Sequence, residues 1–430
     1  GWVSLRWKQR VSFAWKSTQS GWLDNQRGRM AALQDATLTA NGINNDGGRI
    51  TGSNVQAQSH DAAGNWSAVS NQGGTILADQ RLQLDSAALN NSAGAIQTTI
   101  STSQLSINSH GADIINQQSA SAGGIVSSGS LNLDAQGGNI NNSSAGYIGA
   151  FGGTQLNAGR IINQGGAIAS NSMLTLNSTA GDGVGIDNTS GGSIQSTSDV
   201  KLYASAAEIA NTGGSITANK DVLVQSTGKV NSDLGTIKAG HNLSVIDANV
   251  ANGAALNGAT QTLSNQDGTL FAGNNFNIRN KGISGAGNLE AQGGMQLAFA
   301  GDYNHQGNLS VNGELSLENG GNFTNQGSIK GGSSVTVTGN NVDNQTGAEI
   351  SSAGTTTVNA NQTFTNRGLI DGSDTRINAG TVDNVGTGRI YGDHVSINAG
   401  TVNNRGENGS TGTIASRQDL DIGASVVNNL

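Results

Sequence analysis

Twenty-nine carboxylates and five histidines are the groups of this 430-residue chain that could carry acid–base or metal chemistry. Two close pairs of acids stand out. Asp419 and Asp421 point the same way if their segment is a strand, and Asp371 lies three residues from Asp374. Glycoside hydrolysis needs two such carboxylates on one surface, one as acid and one as base or nucleophile. With so many acids, pairs like these arise by chance, and both read as solvated positions. His60, His110, His241, His305 and His394 are too dispersed for a recognisable metal-ligand set. The absence of cysteine removes disulfides, zinc–thiolate sites and thiol nucleophiles. No Gly-x-x-x-x-Gly-Lys-Ser/Thr loop offers a phosphate cradle, and no tandem Gly-Gly-x-Gly-x-Asp run offers calcium sites. Catalytic residues, cofactors, metals and small-molecule substrates are therefore all expected to be absent.

Charge is sparse, with a formal net charge of −8 and only 12% charged residues. Neither a basic tail nor a phosphate-tracking stripe results, so no nucleic-acid partner is expected. Tryptophans and basic residues near the start could suggest nucleic-acid or membrane contact, but the sequence offers no second basic patch. No apolar run approaches the roughly 18 residues of a membrane helix. Arg6, Lys8 and Arg10 interrupt the apolar stretch near the start, which breaks the pattern of a signal peptide. The chain opens at Gly1 without an initiator Met and reads as a piece of something longer.

Any elements that position side chains here must be built from an unusual alphabet. Gly supplies 65 residues, about twice the usual share of roughly 7%. About one residue in eight is Asn, and Pro is absent. Collagen and Pro-rich linkers both need proline, so neither accounts for the glycines. Hydrophobic residues make up 34%, enough for a core if they recur regularly.

They do recur. Ile43-Asn44-Asn45-Asp46-Gly47-Gly48-Arg49-Ile50, Val69-Ser70-Asn71-Gln72-Gly73-Gly74-Thr75-Ile76 and Ile209-Ala210-Asn211-Thr212-Gly213-Gly214-Ser215-Ile216 share the phrase apolar-x-Asn-x-x-Gly-x-Ile. With an occasional residue more or less, the phrase recurs around Asn25, Asn91, Asn116, Asn142, Asn163, Asn188, Asn231, Asn265, Asn325, Asn344, Asn366, Asn384 and Asn404. His305 takes the Asn slot in one further copy. Six residues after the Ile comes an apolar pair split by one polar residue: Leu82 and Leu84 after Ile76, Leu174 and Leu176 after Ile168, Leu420 and Ile422 after Ile414. Residues two apart share one face of a strand, while glycine at this density would cost a helix about 1 kcal/mol each time. Each unit thus holds two or three short strands joined by tight turns, where Gly and Asn can take positive φ.

A unit of about 20 residues cannot bury its own apolar face, so the units must stack. The expected fold is all-β, a parallel β-helix of about 18 to 20 coils, roughly 90 Å long at a strand spacing of about 4.8 Å. The Asn of each turn would stack on its counterpart in the next coil and satisfy turn backbone groups. Proline would delete a ladder donor in strands paired on both sides, which explains its absence. Residues 22 to 430 form the repeat array, and 246 to 302, its least regular part, read as coils with loop insertions. Residues 1 to 21 do not fit the repeat. Their alternating Val3, Leu5, Trp7, Val11, Phe13 and Trp15 suit an amphipathic strand capping the solenoid, and a segment introduced by a gene break or frame shift is the alternative.

The phrase Val69 to Ile76 followed by Leu82-Gln83-Leu84 resembles the haemagglutinin repeat of filamentous haemagglutinin-type exoproteins. That group includes large adhesins exported by two-partner secretion in Gram-negative bacteria and the stalks of contact-dependent growth inhibition toxins. The resemblance spans roughly residues 22 to 430 in nearly twenty tandem copies. It implies a right-handed β-helix, export through an outer-membrane two-partner transporter, and a place at the bacterial cell surface. It further implies an adhesive filament meeting host or bacterial receptors or glycans, or a stalk presenting a C-terminal toxin. The family's amino-terminal secretion domain carries Asn-Pro motifs, which a chain without Pro cannot contain. The Val-Glu-Asn-Asn junction of the growth-inhibition toxins is replaced here by Val426-Val427-Asn428-Asn429. Sequons such as Asn65-Trp66-Ser67, Asn322-Phe323-Thr324 and Asn361-Gln362-Thr363 are open to glycosylation. A polysaccharide-degrading β-helix enzyme remains a further reading. It requires a groove with at least three acids converging on adjacent coils.

Overall fold

Alternating burial along short strands dictates the architecture of the computed structural model, which describes residues 13–16 and 21–430. The expectation for residues 1–21 falls outside the described residues, apart from Gly21 and a strand Phe13–Lys16 that pairs in parallel with Asp35–Ala40. The chain divides into two units, residues 1–220 and 221–430. Each is a parallel β-solenoid, and together they hold about 19 turns.

One coil of the first unit shows the plan. A short strand Val69–Ser70 enters a turn at Asn71 to Gly74, and the chain leaves along the strand Thr75–Asp85. Val69 pairs with Leu89, Ile76 with Ile96 and Leu82 with Leu105, each one coil further on. Every one of these side chains is inside the coil, as are Leu84, Ile168, Leu174 and Leu176. The polar residues between them face out, so the aliphatic columns form an axial core in which each full burial is worth roughly 1.5–3 kcal/mol. Strands between two neighbours have no unpaired N–H side to offer a proline.

The second unit keeps the plan and merges its strands. Leu369–Val385 and Arg389–Glu407 each run through two corners, pairing Ile370 with Ile390, Ile377 with Ile397 and Val382 with Val402. Irregularity is concentrated in one insertion, where two 3₁₀ turns, Ala248–Gly253 and Leu256–Gly258, leave the coil. Buried Asp247 pins that insertion by accepting from the backbone N–H of Asn249, Thr260 and Gln261. Arg279 of the next coil donates to the carbonyls of Val250 and Ala254. From Leu263 to Phe299 the coils are regular again, with Leu270 paired to Leu289 and Phe276 to Met295. Leu420 and Ile422 stand in register with Val395 and Ile397 and so continue the two core columns.

Candidate functional site

The turn after each short strand places one side chain inward at the coil corner, and in the first unit that residue is always Asn. Asn25 Nδ2 donates to Asn45 Oδ1, and the pattern repeats unbroken through Asn71, Asn91, Asn116, Asn142, Asn163, Asn188 and Asn211 at 2.6–2.8 Å. Seven of the first unit's amides also reach the carbonyl just before the core Ile of the next coil, as Asn45 does to Thr75 and Asn163 to Ser193. In the second unit the series runs Asn325, Asn344, Asn366, Asn384, Asn404 and Asn429 at 2.8 Å.

Three positions depart from the expected set. Asn231 is not in the corner slot. It lies one residue early, faces outward opposite Ser264, and Ser232 takes the slot beside Asn265. The slot is two residues beyond the apolar Val230, and the Asn-Ser order there shifts the amide out of it. Asn231 Oδ1 instead accepts from Asp233 N–H, the side-chain turn that Asp24, Asn44, Asn90, Asn141 and Asp187 make at the same outward position. Asn265 is buried in its slot, but its Oδ1 has no partner because the preceding coil offers Ser232 in place of an amide donor, and the next coil supplies Gly285 in place of the Oδ1 that its Nδ2 would reach. Gly285 has φ +94°, and a Cβ there would sit 2.5 Å from Gln266 N, so no ladder side chain fits.

His305 fills the following slot. Its Nε2 lies 3.2 Å from Ser328 O, the carbonyl an Asn amide would reach, and its Nδ1 lies 3.0 Å from the hydroxyl of buried Tyr303. That pairing assigns the Nε2–H tautomer, with Tyr303 donating to Nδ1. Burial pushes the imidazole pKa below its ordinary value and the Tyr303 hydroxyl well above its own.

Where a turn carries two glycines, as at Gly73 and Gly74, they have separate causes. Gly73 has φ +60° and open space around it, whereas a Cβ on Gly74 would lie 2.1 Å from the carbonyl oxygen of Asn45 one coil below. The last Gly of this turn therefore answers to the close approach of the ladder residue beneath it, and the positive φ belongs to its predecessor.

The candidate acids pair with neighbouring cations or stand apart. Asp374 binds Arg376, Asp393 binds Arg417, and Asp419 Oδ2 meets His394 Nδ1 at 2.9 Å, each on the exposed face of the last coils. Asp421 lies in register with Ser396 and Asp371 with Tyr391. Among the described residues no group of three or more His, Asp or Glu could hold a metal ion. His60 and His110 both pack on Trp66, which their spacing in the chain conceals. His110 stacks on Trp66 with ring centroids 3.8 Å apart, His60 meets the same indole edge-on, and Asp85 lies 3.7 Å from His110 Nε2. His241 is exposed. A shallow open groove of about 460 Å³ runs over Asn359 to Asn361, Asn378 to Gly380 and Asn398 to Gly400, with no titratable residue in its lining.

The haemagglutinin repeat family matches residues 7–65, 126–198, 195–252, 245–298, 284–345 and 334–424. The chain belongs to the haemagglutinin repeat family. No curated relative and no solved structure matches it significantly. The haemagglutinin repeats and the solenoid together make it a filamentous haemagglutinin-like stalk or adhesin segment. In these haemagglutinin repeats the matched segments hold Asn25, Asn45 and Asn142 to Asn211 of the ladder as well as the coils around Gly285 where it fails, while Asn71, Asn91 and Asn116 lie between matches.

Proposed function

We propose that this segment is the adhesive part of a secreted bacterial surface exoprotein, a non-enzymatic filament that binds cells through many weak contacts. The observation that carries this reading is the outward columns. In the first unit Thr37, Gln56, Gln83, Ser106, Asn132, Gln155 and Thr175 stand in register, one per coil. In the second, Thr363, Thr381 and Thr401 do the same. Uncharged polar groups repeated at the coil spacing suit avidity toward a repetitive receptor or glycan surface, where each contact alone is weak. Family membership supports export through an outer-membrane two-partner transporter and residence at the cell surface.

The test is to compare cell binding by the monomeric chain with binding by beads displaying it densely. Adhesion through avidity predicts weak binding by the monomer and strong retention of the beads under flow. Beads that fail to stick would overturn the reading and leave the segment as a spacer that presents a distal toxin.

A further inference from the structure

In the second unit the short strands Val230–Asn231, Thr262–Ser264 and Gly282–Ser284 stack coil on coil, and their sheet ends at the last of them. Tyr303–His305 holds the equivalent place in the next coil but pairs only onward, with Phe323–Asn325. Asn288 N–H donates to Gly268 O on one side of this seam and Ser328 N–H to Gly307 O on the other. Among the described residues, however, no backbone hydrogen bond joins 282–287 to 302–308. The other two faces run through unbroken, pairing Leu289 with Leu309 and Met295 with Leu315. Side chains mark the same place. Ile283 follows Val230 and Leu263 in the inward column, and it is half-buried where they are fully buried. Asn280 and Asn319 are buried on either side of Phe299, in register with it, and neither amide has a partner for its oxygen or its nitrogen. Unpaired buried amides weigh against the closed state. Aromatic rings fill the interior there, with Tyr303 centred 4.7 Å from Phe299 and 5.6 Å from Phe323. Apolar contacts carry no direction and survive a small displacement that would break a ladder.

We propose that this seam is a joint at which the second unit's solenoid bends, with the two unbroken faces as the hinge and the short-strand face as the side that opens. Opening that face breaks no backbone hydrogen bond at the seam, whereas the same movement between Tyr303–His305 and Phe323–Asn325 would break a ladder. A filament loaded from the side therefore yields here before its fully laddered coils do. The corner glycine Gly285, with its φ of +94°, lies at the end of the last short strand, where a change in chain direction meets least resistance. The inference is separate from adhesion, since the joint follows from the coil pairing whether the segment grips a receptor or presents a toxin.

The experiment is pulsed electron resonance on the full chain, whose lack of cysteine confines nitroxide labels to introduced thiols. Ser284→Cys with Thr365→Cys spans the seam on the short-strand face. Thr324→Cys with Asn403→Cys lies beyond the seam on the same face and spans as many coils, about 19 Å at a coil spacing of about 4.8 Å. Gln296→Cys with Arg376→Cys crosses the seam on an unbroken face. The first pair should give a distance distribution broader than the second and shifted to longer distances, and the third should stay as narrow as the second. Equal widths for the first two pairs would overturn the joint. So would equal broadening of all three, which would mean that the whole unit loosens. Hydrogen exchange on the unsubstituted chain gives an independent reading: Ile283 should exchange fast while Leu309 and Leu315 stay protected, and loss of protection at all three together would also overturn the proposal.

Discussion

Replacing Asn163 by Ala removes one rung from the middle of the first unit's ladder, and the structure fixes what is lost. Asn188 Oδ1 loses the 2.8 Å bond from Asn163 Nδ2, and Ser193 O loses its side-chain donor at 3.0 Å. Asn142 Nδ2 loses the acceptor at 2.8 Å but keeps Ala167 O at 3.0 Å and Gly146 O at 3.3 Å. One buried acceptor and one half-buried carbonyl thus lose a donor and one amide is weakened, at about 1–3 kcal/mol for each unsatisfied group. The expected cost is roughly 2–6 kcal/mol. Gln155→Thr is the control, because Gln155 faces solvent in register with Thr175 and should stay within about 0.5 kcal/mol. Urea denaturation followed by far-UV circular dichroism gives the midpoints. Since a stacked array need not unfold in one step, amide hydrogen exchange should show the loss of protection centred on the coils of Asn142, Asn163 and Asn188. Equal midpoints for the two variants, or protection lost evenly along the chain, would refute the idea that the amide ladder holds neighbouring coils together.

Gly74→Ala should destabilise far more than Gly73→Ala, since the first drives a methyl into Asn45 O while the second costs only the strain of positive φ, about 1–2 kcal/mol; thermal melts of the two variants decide this. His305 makes the coil at Tyr303 to His305 acid-sensitive. Its folded pKa lies below its unfolded value of about 6.5, so its share of stability is complete above that pH and falls as pH drops through the folded value, at up to about 1.4 kcal/mol per pH unit. Exchange protection near Ser328 should drop selectively in mild acid. His305→Asn should remove that response while leaving the Tyr303 hydroxyl without its acceptor. Glu407→Gln should loosen the hairpin that pairs Gly406 with Thr411, because Arg367, two coils away, holds both carboxylate oxygens of Glu407; faster exchange at Gly412 with unchanged exchange at Ile377 is the expected result.

The apolar columns are legible because the six-residue step from Ile76 to Leu82 recurs in most coils, although it is five residues from Ile50 to Val55 and nine from Ile96 to Leu105. The Asn of the corner was legible for the same reason, except where Asn231-Ser232 offers an amide one residue early, a difference that a pattern tolerant of insertions does not register. Val426-Val427-Asn428-Asn429 reads in the sequence only as the opening of another coil, and the bond from Asn404 is what places Asn429 in the ladder. The separate duties of Gly73 and Gly74 could not be told apart from composition, since one concerns a dihedral angle and the other a carbonyl 29 residues earlier in the chain. The same holds for Trp66 with His110. Stacking brings these residues together across a full coil or more, and no local period marks them.

The ladder also has a direction. In every rung the lower-numbered Asn donates and the higher-numbered Asn accepts, from Asn25 to Asn45 and likewise from Asn404 to Asn429. The amide dipoles therefore align head to tail, and each rung polarises the next. A coil that has just closed already aims an N–H at the place where the following coil's Oδ1 will arrive. Its partner has only to supply an oxygen, at a corner whose glycine leaves room for it. Growth of the solenoid is accordingly asymmetric: the leading edge toward higher numbers presents a hydrogen-bond donor, and the edge toward lower numbers an acceptor. A chain that folds as it emerges, amino end first, would meet a template of the right polarity at every turn.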